Sequence, residues 1–265
     1  MTSTAPLPRK GAAFFDLDRT LIAGASTFVF GWVAFRRGLI PTAELIDDAR
    51  QALVFRMTGG SDDQSDGVRD RILSAVAGKA QADAIALNDE ILPKLLDQVR
   101  PETRKSVEKH RDAGRDTWIV SASPIEIVQP LAEALGMTGA IATESEVEDG
   151  LYTGKLAKEF VYGEGKVERI RDLADERGYD LRLCWAYSDS KSDLPMLRLV
   201  GHPVAVNPDK ELRRRARQEN WPIVHFSQRT KRGVTIGTSV AGSIALATGA
   251  YVLGRKHGMQ RGPDA

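Results

Sequence analysis

Apart from a first apolar run at 11–15, the chain from residue 101 onward alternates between segments with helical spacing of apolar residues and short, almost wholly apolar runs. The predicted strands are 11–15, 117–120, 141–144, 183–187, 203–206 and 223–225. The helices predicted between them are 102–113, 124–135, 164–177, 193–199 and 210–218. Strands that alternate with helices form a mostly parallel sheet that is covered on both faces. We therefore predict an α/β fold with a doubly wound, mostly parallel sheet.

Residues 23–100 have a different character, because helical spacing continues there without any strand pattern. Glycine and proline residues interrupt the helical segments at intervals, as they do between helices of one bundle. We interpret this stretch as an inserted α-helical cap. The predicted organisation is an α/β core at 11–22 and 101–228, a cap at 23–100 and a C-terminal tail at 229–265.

Polar side chains follow three of the predicted strands at the point where each strand ends. Asp16 ends the first apolar run, Ser121 ends the second, and Asp189 follows the run that ends at Tyr187. Ligands of open α/β sheets bind just beyond the carboxyl ends of the strands. The sequence therefore predicts that these three side chains meet at one edge of the sheet.

Two carboxylates, Asp16 and Asp18, flank a single residue directly after the first strand. Two neighbouring buried anions need a cation or hydrogen bonds to offset their charge, and a hard divalent cation with oxygen ligands is suitable. A carboxylate can also attack phosphorus, while its neighbour acts as a general acid and base. The alternative interpretation is a strand that ends in an acidic loop.

The other candidate residues each have a structural alternative. Asp189 suits metal ligation, whereas Asp193 lies where it could cap the helix that begins at Leu194. Ser121 could contribute to a phosphate cradle or serve as an ordinary helix N-cap. Lys166 follows two glycines at a predicted helix start, so it could approach a phosphate or remain a surface lysine.

Taken in order, these motifs resemble those of the haloacid dehalogenase superfamily, subfamily IB, specifically its phosphoserine-phosphatase-like branch. The resemblance extends over about 11–225. It implies a phosphoric monoester hydrolase that requires Mg²⁺ and acts on a small phosphorylated metabolite. It also implies a Rossmannoid core, and a cap that covers the site and selects the substrate.

The resemblance further implies a role for each motif residue. Asp16 would be the nucleophile that forms an aspartyl-phosphate, and Asp18 would be first the general acid and then the general base. The implied phosphate-binding residues are Thr20, Ser121 and Lys166. The implied Mg²⁺ ligands are Asp16, the main-chain carbonyl of Asp18, and Asp189, with Asp193 supporting them.

The chain departs from the family pattern at several positions. Arg19 stands where many relatives have glycine, and Ser192 replaces a usual asparagine. Ala25 stands where phosphoserine phosphatases carry a glutamate that binds the substrate amine. The resemblance therefore predicts a phosphatase without predicting phosphoserine as its substrate. Two alternatives stay open: a phosphotransferase to an alcohol acceptor, and a catalytically silent regulatory protein with this fold.

The charge of the chain bears on its partners. The formal net charge of +1 gives no general reason to expect a nucleic-acid partner. The charge is unevenly distributed, however, because residues 210–261 carry 11 Lys and Arg against two acids, whereas residues 1–209 carry a net −7. A basic C-terminal end on an acidic body is compatible with an anionic membrane surface.

The tail contains a run of 22 uncharged residues, 233–254, which basic residues flank on both sides. About 20 apolar residues can cross a bilayer as a helix. We predict membrane association through this segment; an interfacial helix and a helix docked on the protein are the alternatives. Since the N-terminus lacks the pattern of a secretory signal, we expect a cytoplasmic protein, with any anchor at the cytoplasmic face of the membrane.

Overall fold

The computed structural model describes residues 10–38, 69–70, 73–74 and 76–226, which belong to the first of two compact units, Met1–Gln228. The tail at 229–265, with its uncharged run 233–254, lies outside the described residues, as does part of the predicted cap. Membrane association and cellular location therefore stay predictions. Within the described ranges, no helix combines the length and apolar character needed to cross a bilayer.

A six-stranded parallel sheet forms the core of the described structure. The described residues form eight strands, of which β4 and β5 lie outside this sheet: β1 Ala12–Asp16, β2 Asp116–Pro124, β3 Gly139–Thr143, β4 Ser145–Glu148, β5 Leu151–Leu156, β6 Trp185–Ser188, β7 His202–Val206 and β8 Ile223–Val224. The order in the sheet is β3-β2-β1-β6-β7-β8, and every neighbouring pair is parallel. The predicted doubly wound α/β fold is confirmed.

Helices connect the strands and cover the sheet. Their bounds are α1 Ser26–Arg36, α2 Gln81–Ala86, α3 Asn88–Leu96, α4 Pro101–Asp112, α5 Ile125–Ala134, α6 Glu164–Arg177, α7 Leu194–Leu199 and α8 Lys210–Gln218. The first three lie in the insertion between β1 and β2, whose described elements are helical as predicted. The predicted strand 183–187 begins two residues late, because Leu181–Leu183 form a helical turn capped by Asp180.

The central strand β1 explains why its sequence is apolar throughout. Ala13 and Phe15 pack in the hydrophobic cluster on one side of the sheet, and Ala12 and Phe14 pack in the cluster on the other. Side chains alternate across a strand, so a strand covered on both faces needs apolar residues at every position. This burial positions Asp16 at the end of a rigid central strand.

The strands β4 and β5 form a separate antiparallel hairpin. Asp149 and Gly150, at its turn, have φ angles of 49° and 80°. Two successive positive φ angles are typical of the tight turn that an Asp-Gly pair favours. The local sequence Asp149-Gly150 therefore accounts for the hairpin.

A polar residue, His110 of α4, is buried beneath the sheet. Arg115 donates through Nε to His110 Nδ1 at 2.8 Å, so the other ring nitrogen, Nε2, carries the proton and lies 2.8 Å from the Tyr187 hydroxyl. Burial lowers the pKa of His110 to about 4, and the positive charges of Arg115 and Lys109 act in the same direction. The folded protein therefore keeps this histidine neutral.

We expect this histidine to make the folded protein less stable in acid. An unfolded chain binds the proton near pH 6.5 but the folded chain only near pH 4, so stability falls across that window, by about 2 kcal/mol between pH 7.5 and 5. Urea denaturation of the wild type and of His110→Gln at both pH values measures the difference. Other titrating groups are common to both proteins; parallel pH dependences would contradict the assignment.

Candidate active site

The carboxyl ends of three adjacent strands form one edge of the sheet. β1 lies between β2 and β6, with Asp16 opposite Val120 and Phe15 opposite Tyr187. Ser121 follows Val120 within β2, and Asp189 lies two residues beyond Tyr187, directly after β6. The structure thus brings together the three strand-end residues that the sequence pattern predicted to meet.

Lys166 is buried at this edge, with 3% of its surface exposed. Its Nζ lies 2.7 Å from Asp16 Oδ1 and 2.8 Å from Asp193 Oδ1. Two glycines make this placement possible: Gly163 has a φ of 53°, and a Cβ at Gly165 would lie 1.9 Å from the Phe160 carbonyl oxygen. The alternative of a surface lysine is therefore wrong.

Asp193 binds within the site and does not cap a helix. One carboxylate oxygen pairs with Lys166, and the other accepts a hydrogen bond from the Ser188 hydroxyl at 2.6 Å. It is the residue before α7, yet its side chain makes no capping hydrogen bond there. The predicted capping role is wrong, because the buried ammonium of Lys166 is a stronger partner for the carboxylate than a backbone amide.

Asp18 is held by the start of the inserted segment. The backbone N–H of Ser26 donates to Asp18 Oδ1 at 2.7 Å, and the Ser26 hydroxyl lies 2.7 Å from that of Ser123. Ser121 Oγ accepts the N–H of Ser123 at 3.1 Å. The N-cap alternative for Ser121 is therefore wrong, since α5 begins four residues later. These contacts connect Asp18 to the end of β2, which contains Ser121.

Asp189 lies between two groups from the loop after β1. Its Oδ2 is 3.0 Å from Arg19 Nε, and the buried Thr20 hydroxyl is 3.5 Å from its Oδ1. Arg19 has a φ of 60°, in the left-handed region that favours glycine, which accounts for the glycine of many relatives at this position. Through its pairing with Asp189, Arg19 belongs to this edge of the sheet, although 58% of its side chain remains exposed.

The loop that contains Thr20 is fixed by Thr103, in the first turn of α4, and by Arg100, the residue that precedes this helix. Thr103 donates its hydroxyl to the Thr20 carbonyl at 3.1 Å, and the Arg100 guanidinium lies 3.3 Å from the Arg19 carbonyl. The carbonyl of Leu21 accepts the N–H of Arg100 at 3.1 Å. These bonds satisfy the loop carbonyls and hold the loop against the core.

The site carries more negative than positive charge. Four aspartates lie at this edge against the cations Lys166 and Arg19. Burial raises the pKa of Asp16 well above that of an ordinary aspartate, although Lys166 opposes the shift. Burial likewise raises the pKa of Asp189 to about 6, against the opposing effect of Arg19. An added cation would stabilise these carboxylates, so the donor chemistry fits a hard divalent metal.

Two further observations bear on the ionisation of the site. Burial raises the pKa of Asp18, and its hydrogen bond from Ser26 partly offsets this effect. Burial lowers the pKa of Lys166, but Asp16 and Asp193 outweigh it and the net shift is upward. Lys166 is therefore a permanent cation. Across residues 10–38 and 76–226, no three His, Cys, Asp or Glu side chains form a ready-made metal cluster.

Sequence reasoning missed three residues that support the site. They are Ser26, which binds Asp18, Ser188, which binds Asp193, and Asp209. The backbone N–H of Asp209 donates to the Asp189 carbonyl at 2.8 Å, and its carboxylate accepts the N–H groups of Lys191 and Leu212, each at 2.8 Å. Asp209 directly precedes α8, so its capping pattern could have been recognised.

Comparisons with known proteins agree with this geometry. Residues 13–198 match the model of the family described as haloacid dehalogenase-like hydrolase. The chain belongs to this family. Within it, the chain is a phosphoserine-phosphatase-like hydrolase with the family's α/β core, and it is a phosphoric monoester hydrolase. This family assignment favours an enzyme over the alternative of a catalytically silent protein.

Individual relatives support the assignment to phosphatases. The phosphoserine phosphatase SerB1 of Mycobacterium tuberculosis is 37% identical over 248 residues, covering 92% of this chain and 80% of the relative. The histidinol-phosphatase of Neisseria meningitidis is 33% identical over 222 residues, covering 82% and 99%. A crystal structure from Bordetella pertussis, of a protein with unknown function, supports the fold, with a TM-score of 0.71 and 27% identity, covering 82% of this chain and 99% of that one.

Proposed function

We propose that this phosphatase hydrolyses a small phosphorylated metabolite with the aid of Mg²⁺, through an aspartyl-phosphate on Asp16. The observation that supports it most is the buried contact of 2.7 Å between Lys166 Nζ and Asp16 Oδ1. A fixed ammonium opposes the effect of burial and so favours the ionised, nucleophilic form of the carboxylate, and it attracts the phosphoryl oxygens to the same place.

In the first step, a carboxylate oxygen of Asp16 attacks phosphorus and the ester bond to the leaving alcohol breaks. Asp18 donates its proton to the departing oxygen. The raised pKa of Asp18 supports this role, because a group must hold a proton at working pH to act as an acid. The Ser121 hydroxyl can donate to a phosphoryl oxygen, because the bond it accepts from Ser123 leaves its own hydrogen available. The Thr20 hydroxyl can do the same by exchanging its long contact of 3.5 Å with Asp189 for a phosphoryl oxygen.

In the second step, water attacks the phosphorus of the acyl phosphate and the bond to Asp16 breaks. Asp18, now a carboxylate, accepts the water proton, which restores the starting state of both residues. Lys166 and the hydroxyls stabilise the same phosphoryl oxygens in both steps. Their pre-organised positions are expected to supply most of the rate gain.

The residues that would hold Mg²⁺ are Asp16 and Asp189 through their carboxylates and Asp18 through its main-chain carbonyl. Only two of these three ligands are side chains. The set is therefore compatible with the finding that no three His, Cys, Asp or Glu side chains cluster among the described residues. Asp193 would keep Lys166 in place beside it. When bound, Mg²⁺ supplies positive charge against the phosphoryl oxygens.

The class of substrate is inferred from the named relatives and from the residues of this chain. Two relatives are named for dephosphorylating phosphoserine and histidinol phosphate, which supports a small phosphomonoester. Ala25 is followed by the start of α1 and offers no carboxylate to a substrate amine at that position. We infer that the inserted segment 23–100 is the cap that selects among such substrates.

The test is release of inorganic phosphate from a panel of phosphomonoesters, including lipid-derived ones, with metal-stripped protein. We expect turnover only after Mg²⁺ is added, and loss of turnover when a chelator is added. Phosphate release at an unchanged rate with the chelator would reject the metal role. An added acceptor alcohol that becomes phosphorylated in place of water would favour a phosphotransferase.

A further prediction concerns Arg19, which pairs with Asp189 at 3.0 Å and competes with a metal for this carboxylate. Arg19→Gly removes the competing cation and relieves the left-handed backbone. We expect Mg²⁺ to bind about two- to fivefold more tightly, because exposed ion pairs contribute at most about 1 kcal/mol. Calorimetric titration of metal-stripped protein measures the change, with Arg182→Ala as the control; unchanged or weaker binding would contradict it.

A further inference from the structure

Arg19 extends from a fixed backbone at the edge of the sheet that carries Asp16 and Asp189, which we call the catalytic edge. The Arg19 N–H donates to the Gly24 carbonyl at 3.0 Å, and the Arg19 carbonyl lies 3.3 Å from a guanidinium nitrogen of the buried Arg100. These two bonds hold the left-handed backbone, with its φ of 60°, from both sides. The side chain therefore starts from a defined position.

The guanidinium of Arg19 lies on the solvent side of the site. Its Nε is 3.0 Å from Asp189 Oδ2, and 58% of the Arg19 side chain is exposed against 7% of that of Asp189. The cation therefore covers this carboxylate from the side on which a substrate must approach. A guanidinium that pairs through Nε keeps the N–H donors of both Nη groups for a second acceptor.

One carboxylate separates this guanidinium from the groups that are proposed to bind the phosphoryl group. The other oxygen of Asp189, Oδ1, lies 3.5 Å from the Thr20 hydroxyl, which the proposed mechanism places against a phosphoryl oxygen. A substrate held there by its phosphate would have its neighbouring atoms beside Arg19. Since a guanidinium matches a carboxylate or a phosphate with two parallel hydrogen bonds, it would select a second anionic group on the substrate.

The charge of the catalytic edge gives such a cation a specific value. Lys166 is buried and already pairs with Asp16 and Asp193, so it is occupied by the protein's own carboxylates and by the phosphoryl group. A further negative charge on the substrate would face these aspartates, and like charges placed together oppose binding. Arg19 lies where it can meet that charge. Many relatives have glycine at this position, so the contact is not part of the machinery they share.

From these contacts we propose that Arg19 is a specificity-determining residue. It favours phosphomonoesters that carry a second anionic group, a carboxylate or another phosphate, close to the phosphate that is hydrolysed. The inference rests on the proposed function, because it names the class of substrate for that reaction. Arg19 takes no part in making or breaking bonds; its guanidinium binds the second group, which lowers KM and leaves kcat unchanged.

The test compares matched pairs of esters at saturating Mg²⁺. Phosphoserine and phosphoethanolamine differ only in the carboxylate, and propane-1,3-diol bisphosphate and propyl phosphate differ only in the second phosphate. We expect the wild type to have a KM about tenfold lower for the more anionic member of at least one pair. In Arg19→Gln this ratio should fall below about threefold, with kcat for the less anionic member within about threefold of the wild type.

Control variants separate Arg19 from the general field of the protein. Lys191→Gln removes an exposed cation from the loop after β6 and should keep the wild-type ratio. An equal loss of the ratio in Lys191→Gln would assign the preference to overall positive charge and overturn the proposal. Should Arg19→Gln fail to fold, Arg19→Gly suits the left-handed backbone and should lose the ratio in the same way. An equal rise in KM for both members of each pair would reduce Arg19 to a partner of Asp189, which also overturns the proposal.

Binding of phosphonates keeps this inference distinct from the proposed function, because phosphonates bind without being hydrolysed. By calorimetric titration with Mg²⁺ present, the wild type should bind 3-phosphonopropionate or propane-1,3-bisphosphonate about tenfold more tightly than propylphosphonate. Arg19→Gln should bind all three within about threefold. A wild type without this preference overturns the role of Arg19 whatever the enzyme hydrolyses. A wild type that hydrolyses no ester would reject the proposed function, and the titration would still decide whether Arg19 selects a second anionic group.

Discussion

Replacing Asp16 by asparagine is expected to lower kcat by at least about 10³-fold while the protein stays folded. The amide has the shape of the carboxylate but cannot displace an alcohol from phosphorus. Lys166 keeps Asp193 as a partner at 2.8 Å, so the buried ammonium is not left unpaired. Phosphate release and a cooperative thermal transition, measured on the same preparation, test both parts.

The matched control is Asp112→Asn, which changes an exposed aspartate of α4. It should keep wild-type activity and stability. If Asp16→Asn were to retain more than about a tenth of wild-type turnover, Asp16 could not be the nucleophile and a different residue or a water molecule would have to attack phosphorus.

Lys166→Met is expected to have the largest effect on stability. Lys166 is 3% exposed and pairs with both Asp16 and Asp193, so its removal leaves two buried carboxylates without their cation. Breaking a buried pair in this way costs about 3–5 kcal/mol, which for a chain of this size lowers Tm by roughly 10 °C or more. Calorimetry of the metal-stripped protein measures the change, and activity should fall with it.

Two comparisons sharpen this prediction. Lys105→Met, at an exposed position of α4, should leave Tm unchanged. Adding Asp193→Asn to Lys166→Met should recover part of the lost stability, because it removes one of the two unpaired carboxylates. A double variant less stable than Lys166→Met would contradict the view that uncompensated negative charge causes the loss.

Much of the fold could be predicted because it follows from local patterns. The helix predicted at 164–177 has those bounds in the structure, where Gly178 ends it in a left-handed conformation with a φ of 69°. The turn of the β4–β5 hairpin is equally local, because the dipeptide Asp149-Gly150 favours it. Strand ends that carry Asp16 and Asp189 indicated the site, because parallel strands present their carboxyl ends at one edge.

The contacts within the site were less predictable, because they join residues far apart in the chain. Lys166 is 150 positions from Asp16, and no local pattern distinguishes this buried lysine from an exposed one. Asp193 had the sequence of a helix cap, yet a buried cation competed successfully for its carboxylate. The backbone conformation of Arg19 was also hidden, since only its alignment with a glycine position hinted at a positive φ.

The burial of Glu126, in the first turn of α5, could not be predicted from its local sequence either. Its sequence context, near the start of a helix, suggests an exposed acid that interacts with the helix dipole. Only the packed structure reveals that Tyr152 and Gln81 enclose it. Pro130 was a signal that could have been used, because a proline inside a helix leaves a carbonyl that needs a donor from elsewhere.

The central claim is that a phosphoryl group passes through Asp16, and acid-quenched turnover tests it most directly. Protein is mixed with a phosphomonoester and Mg²⁺, stopped in acid within a turnover, and its peptides are analysed by mass spectrometry. We predict one added phosphoryl group on the peptide that contains Asp16, absent from Asp16→Asn. Rapid release of phosphate with no phosphorylated peptide at any quench time, or with the group on another residue, would contradict the account.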